Sequence, residues 1–154
     1  MPVMNLARIF EKLHTHYDAI CLFQVSTDSI FQLKYPITGN ETLAASQHLS
    51  WSKALLCLVA ESLRSVVNRD VHAFRYGGDE FLVVAPNCTQ EHMDTLVIMC
   101  LNRMRTLSQK QGIAVSVAVG KAWSDAQRDI NVFNLIRSAD REMYLNKQAM
   151  KYGV

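Results

Sequence analysis

Apolar residues recur at two periods along the chain, and the places where the period changes delimit the predicted elements. Leu6, Ile9, Phe10 and Leu13 fall at helical spacing over residues 5–16, which predicts an amphipathic helix. Residues 19–25 form a nearly unbroken apolar run, short enough for a buried strand. Turn chemistry follows at Ser26-Thr27-Asp28-Ser29, and residues 30–35 read as a second short strand closing a hairpin. Pro36 and Gly39-Asn40 mark a loop. Residues 42–67 predict a long helix that buries Leu55, Leu58, Val59, Leu63 and Val66. Strand-like runs at 71–76 and 81–85 flank Gly77-Gly78, the pattern of a β-hairpin. An amphipathic helix over 89–107, a β-branched strand over 113–119 and a last helix over 132–151, ending near Gly153, complete the chain.

Helix, strand, helix, hairpin, helix, strand, helix is an order that predicts a mixed sheet covered by helices, an α/β or α+β sandwich. At 154 residues, with no internal repeat, linker or low-complexity tract, residues 1–154 are expected to form one domain. The net charge of +2, with no basic cluster, argues against a nucleic-acid partner. No apolar stretch is long enough for a membrane span and no signal peptide is visible, so a cytoplasmic location is expected. Cys21, Cys57, Cys88 and Cys100 are scattered, which suits reduced thiols better than a disulfide framework. His14 and His16 are read as surface histidines, and Trp51 and Met143 as packing residues.

The chemistry concentrates at Gly77-Gly78-Asp79-Glu80. Adjacent glycines allow positive φ and let a ligand approach the backbone closely. Two carboxylates beside bare backbone suit Mg²⁺, which takes oxygen ligands and shares its shell with substrate phosphates. The same tetrapeptide also suits an ordinary Gly-Gly hairpin with solvated acids.

Its flanks extend the pattern. Arg75-Tyr76-Gly77-Gly78-Asp79-Glu80-Phe81 resembles the signature of the GGDEF domain, the diguanylate cyclase family, which joins two GTP molecules into cyclic di-GMP. Leu135-Ile136-x-x-Ala139-Asp140-x-x-Met143-Tyr144-x-x-Lys147 is similar to that family's terminal helix. Val115-Ser116-Val117-Ala118-Val119-Gly120 resembles its Ser-x-Gly strand, with Ala118 in place of the usual glycine, and Met4-Asn5 is faintly similar to its opening segment. The resemblance implies a nucleotide-cyclase, palm-like sheet, mixed but mainly antiparallel, with the signature on a hairpin. It implies Asp79 and Glu80 as catalytic carboxylates, Asp79 as a Mg²⁺ or Mn²⁺ ligand and Glu80 as a second carboxylate near the metal and the nucleophile. It further implies Gly77 and Gly78 at the nucleotide, and Lys147 and Lys151, four apart on one helix face, at the phosphates. GTP or cyclic di-GMP would be the ligand. The chain would act as a homodimer or be recruited by another signalling protein. Only a short segment precedes the first strand, so no sensory or dimerising domain is expected ahead of it.

Several positions depart from the family. Its first strand ends in Asp-x-Asp, supplying a metal ligand; the simplest alignment puts Gln24 and Ser26 there. Asp28 reads as a turn residue, although a shifted register would bring it onto the same strand face as a metal ligand. The Gly-His-x-x-Gly-Asp segment that reads guanine corresponds to Gln47-His48-Leu49-Ser50-Trp51-Ser52, which lacks the Asp; Asn40 is the candidate for the base-reading Asn. The Arg-x-x-Asp motif of product inhibition is replaced by Asn68-Arg69-Asp70-Val71. The expectation is therefore a diguanylate cyclase-like domain with weakened or lost activity. The alternative is a non-catalytic domain that binds a nucleotide or a protein in cyclic di-GMP signalling.

Overall fold

The computed structural model describes residues 19–26, 41–124 and 132–153, without the side chains of 41–51 and 132. The expected helix over 5–16, the strand over 30–35, the His14–His16 pair, Asp28 and Asn40 lie outside the described residues. So does the side chain of Trp51. The observed elements are β1 (Ala19–Val25), α1 (Glu41–Arg64), β2 (His72–Arg75), β3 (Glu80–Ala85), α2 (Gln90–Gln111), β4 (Val117–Trp123) and α3 (Val132–Tyr152). The strands form one sheet in the order β2-β3-β1-β4, and each of the three pairings is antiparallel.

An apolar run makes β1 the centre of this sheet because it is covered on both faces. Ala19, Cys21, Phe23 and Val25 point into a core shared with α1 and α2. Ile20 and Leu22 point the other way, into a second core with Leu135, Ile136, Ala139 and Met143 of α3. Alternating side chains on one strand thus serve two cores. Met143 is buried, as its helical spacing predicts.

The helix ends have local causes. The i→i−3 bonds of Ser65, Val66 and Val67 tighten the chain after α1, so the regular helix stops three residues before the predicted end. Thr89 caps α2 by accepting from the His92 N–H through Oγ1 at 3.1 Å, and Gly112 closes it at φ 67°. That cap also moves the last strand. Ile113, predicted to open it, donates its N–H to Ser108 O and accepts from Ser108 Oγ, so β4 begins only at Val117. Its span follows its partner, from Val25↔Val117 to Ala19↔Trp123.

Two side chains of α3 fasten that helix to the outer edge of β4. Asn146 Oδ1 accepts from Val119 N at 2.9 Å and Glu142 Oε2 from Lys121 N at 2.7 Å. Unpaired N–H groups of an edge strand are satisfied this way and the position of the helix along the strand is fixed. Gly120, between them, lets the helix approach: a Cβ there would overlap the Ala139 carbonyl oxygen and stand 2.7 Å from Met143 Cβ. No helix among the described residues is long and apolar enough to cross a membrane.

Candidate functional site

The signature lies at the β2–β3 turn, as predicted. Tyr76 N and Gly77 N both donate to Glu80 O, at 2.9 and 3.2 Å, and the Arg75 guanidinium closes over the tip, donating to Gly77 O at 3.3 Å and Gly78 O at 2.6 Å. Neither Gly77 nor Gly78 has a positive φ, contrary to the expectation for this turn. The Arg75 clamp and the shared Glu80 carbonyl hold the turn with ordinary backbone angles. A Cβ at Gly78 would meet nothing within 4 Å, and one at Gly77 only the mobile end of Glu80. The fold does not require these glycines for space. What they leave is bare backbone facing outward, which suits a ligand that comes close to it.

The register carries the tip to the neighbouring strands. Val25 N donates to Asp79 O at 2.8 Å, which ties the turn to the end of β1. One residue back, Gln24 stands opposite Glu80 on one side and Ala118 on the other. Alternation directs Glu80, Gln24 and Ala118 to the α3 face of the sheet. Lys147 of α3 reaches this row and donates from Nζ to Gln24 Oε1 at 3.4 Å. Four residues that are far apart in sequence therefore meet at one end of the sheet.

Two depressions open there, with Gln24 and Lys147 in the walls of both. The first, about 430 Å³, is mixed in charge: Glu80 and Asp140 face Arg141 and Lys147, with Tyr144 at its side. The second, about 280 Å³, is lined by Gln24, Ser26, Ser116, Ala118, Lys147 and Lys151, with Met150. Lys147 and Lys151, singled out for their spacing, thus share a cavity. Glu80 is the hairpin carboxylate that lines the first depression. Partial burial raises its pKa first, the Asp79 and Asp140 charges add to this, and Lys147 opposes them.

The β1 side of this donor set, among the described residues, offers a divalent cation an amide in place of a carboxylate. Among the described residues, no three His, Cys, Asp or Glu side chains gather into a metal site. The position opposite Glu80 is an amide whose oxygen already accepts from an ammonium group. A cation placed there would meet Lys147 at close range. Asp79 and Glu80 remain near one another, and the other expected ligand, Asp28, lies outside the described residues.

On the opposite sheet face a larger groove, about 900 Å³, runs between α1 and the hairpin, lined by Ser52, Lys53, Cys57, Arg64, Arg75 and Phe81 among others. Ser52 stands where the sequence comparison expected the family's guanine-reading Asp. The sheet separates this groove from the two smaller depressions. Sequence reasoning missed Arg75 as the clamp of the turn, Ser116 as a wall residue and the Lys147–Gln24 contact. An Arg two residues before Gly77 was a readable signal for the first; the other two depend on strand register.

The family model described as diguanylate cyclase, GGDEF domain, matches residues 50–152. Curated proteins give no significant match. Among solved structures, the active GGEEF domain of a diguanylate cyclase from Vibrio cholerae has a TM-score of 0.62 at 17% identity, over 86% of this chain and 78% of that one. The GGDEF domain of DgcB from Caulobacter crescentus, solved with c-di-GMP, has a TM-score of 0.59 at 17% identity, over 86% and 73%. The diguanylate cyclase SiaD from Pseudomonas aeruginosa, solved with its activator SiaC, has a TM-score of 0.66 at 18% identity, over 87% of this chain and 47% of that one. At these identities the structures establish a common fold.

Proposed function

Because the chain belongs to the GGDEF family, we propose that it binds GTP or cyclic di-GMP at the hairpin end of its sheet and retains at most a weak diguanylate cyclase activity. The observation that carries this reading is the Glu80–Gln24–Ala118 row beneath Lys147. It offers a cation to a phosphate, and at the β1 position where the family has a metal-binding carboxylate it offers an amide. In this reading Lys147 and Lys151 hold phosphate, and the bare backbone at Gly77 and Gly78 admits the nucleotide. Asp79 and Glu80 supply the acidic side of the site. Cyclic di-GMP formation would draw on Mg²⁺ or Mn²⁺ and on two facing copies of the domain, assembled by self-association or by a recruiting protein. Asn40 and Asp28 keep their assignments to the base and the metal as part of the same proposal, and the location is cytoplasmic.

The test is a comparison of the parent with Gln24→Asp, each incubated with GTP and Mg²⁺ or Mn²⁺ and analysed for cyclic di-GMP. The parent is expected to turn over slowly or not at all, and the variant to gain at least about tenfold, equivalent to about 1.4 kcal/mol in barrier. Rapid turnover by the parent would show that the amide at β1 does not limit the reaction. Calorimetry with GTP and cyclic di-GMP tests binding separately, and a domain that binds neither is not a nucleotide site. SiaD, a diguanylate cyclase in complex with an activator protein, supports recruitment as one route to pairing.

A further inference from the structure

Among the described residues, the 280 Å³ depression between β1, β4 and α3 is walled by two ammonium groups, Lys147 and Lys151, and by no carboxylate. Glu80 and Asp140 line the neighbouring depression, which shares Gln24 and Lys147 as walls. The remaining polar walls, Gln24, Ser26 and Ser116, are neutral. Ser26 N donates to Ser116 O at 2.8 Å, which holds the ends of the two strands together just past their last paired residues. Among the described residues, a phosphate group entering here therefore meets cations and neutral hydrogen-bonding groups beside the apolar Ala118 and Met150, and no carboxylate.

A carboxylate-lined phosphate site needs a bridging cation, since phosphate and carboxylate repel and the metal offsets both. The described walls of this compartment bring no such repulsion. Within it a metal-free triphosphate, with its higher negative charge, gains more from the two lysines than a metal-complexed one does. We infer that the compartment formed by Gln24, Ser26, Ser116, Lys147 and Lys151 binds the phosphates of the nucleotide without a divalent metal ion. This inference rests on the nucleotide-binding reading above and specifies how the phosphate is held.

The experiment is calorimetry of the whole chain with GTP in EDTA and, in parallel, in millimolar Mg²⁺. Affinity is expected to agree within about threefold between the two buffers, or to be higher in EDTA. A loss of about tenfold or more in EDTA overturns metal independence and leaves nucleotide binding standing. Absence of binding in both buffers overturns both readings. Two substitutions localise the effect. Lys151→Gln should weaken binding in EDTA by about fivefold or more. Gln24→Asp, which puts a carboxylate into the compartment, should make binding metal-dependent, with affinity lost in EDTA and recovered in Mg²⁺. Circular dichroism verifies that each variant is folded. A Gln24→Asp protein that is folded and binds equally well in both buffers would count against the role given to the neutral amide.

Discussion

Glu80 keeps its proton more readily than a free glutamate because it is partly withdrawn from water and because Asp79 and Asp140 stand near it. A carboxyl group whose pKa is raised on folding binds protons more tightly in the native state than in the unfolded one. Stability therefore falls as pH rises from the ordinary value of 4.5 through the raised one. Glu80→Gln removes that penalty. The variant should be more stable than the parent at neutral pH, by less than about 1 kcal/mol because solvent screens most of this side chain. The gain should vanish below pH 4.5. Urea melts of both proteins at the two pH values measure it, and a less stable variant at neutral pH would refute the electrostatic account. A residue that weakens the fold where it stands is the kind of compromise expected at a binding site.

A methyl group at Gly120 would overlap the α3 backbone, whereas one at Gly78 would meet nothing. The contrast separates how two pairs of elements are held. The α3–β4 contact needs the missing side chain; the β2–β3 turn stands on backbone bonds and Arg75. Gly120→Ala should cost about 1–3 kcal/mol or more, as overpacking of a tight core site does. Gly78→Ala should stay within about 0.5 kcal/mol of the parent. Thermal melts of the two variants decide this, and a large loss from Gly78→Ala would mean that the turn is tighter than it looks. Neither outcome follows from the sequence, in which both are glycines in or beside strands. The elements themselves were legible where composition alone forces them. An apolar run such as residues 19–25 has only one economical place, the middle of a sheet. The start of β4 was not legible, because Ser108 and Gly112 extend the helix cap through Ile113. Nor was the meaning of Gln24, which depends on standing opposite Glu80 and within reach of Lys147. The candidate site was thus readable as a set of motifs, while the contacts that define its chemistry came from register.

Three of the four thiols belong to the interior of the molecule. Cys21, Cys88 and Cys100 are buried and Cys57 is exposed on the wall of the large groove. Burial pushes the Cys21 thiol well up, raises that of Cys88, and takes that of Cys100 to about 12. The thiolate is the reactive form, so these three are inert while the fold is intact. Titration of the folded protein with a disulfide reagent should give one fast thiol, lost in Cys57→Ser, and the rest only after denaturation. Two or more fast thiols in the native protein would show that one of the cores opens readily.

The central place of β1 also governs how the molecule is assembled. Its partners are β3, some sixty residues further on, and β4, roughly a hundred residues further on, while no neighbour in sequence among the described residues pairs with it. A long segment must be closed before the sheet yields any of its pairing energy, and the entropy of that closure is met first. Helices can form early from local contacts; the sheet cannot. Gln24 and Lys147 meet only after both closures, so during synthesis the proposed nucleotide site comes into being only once the whole sheet and its last helix have left the ribosome.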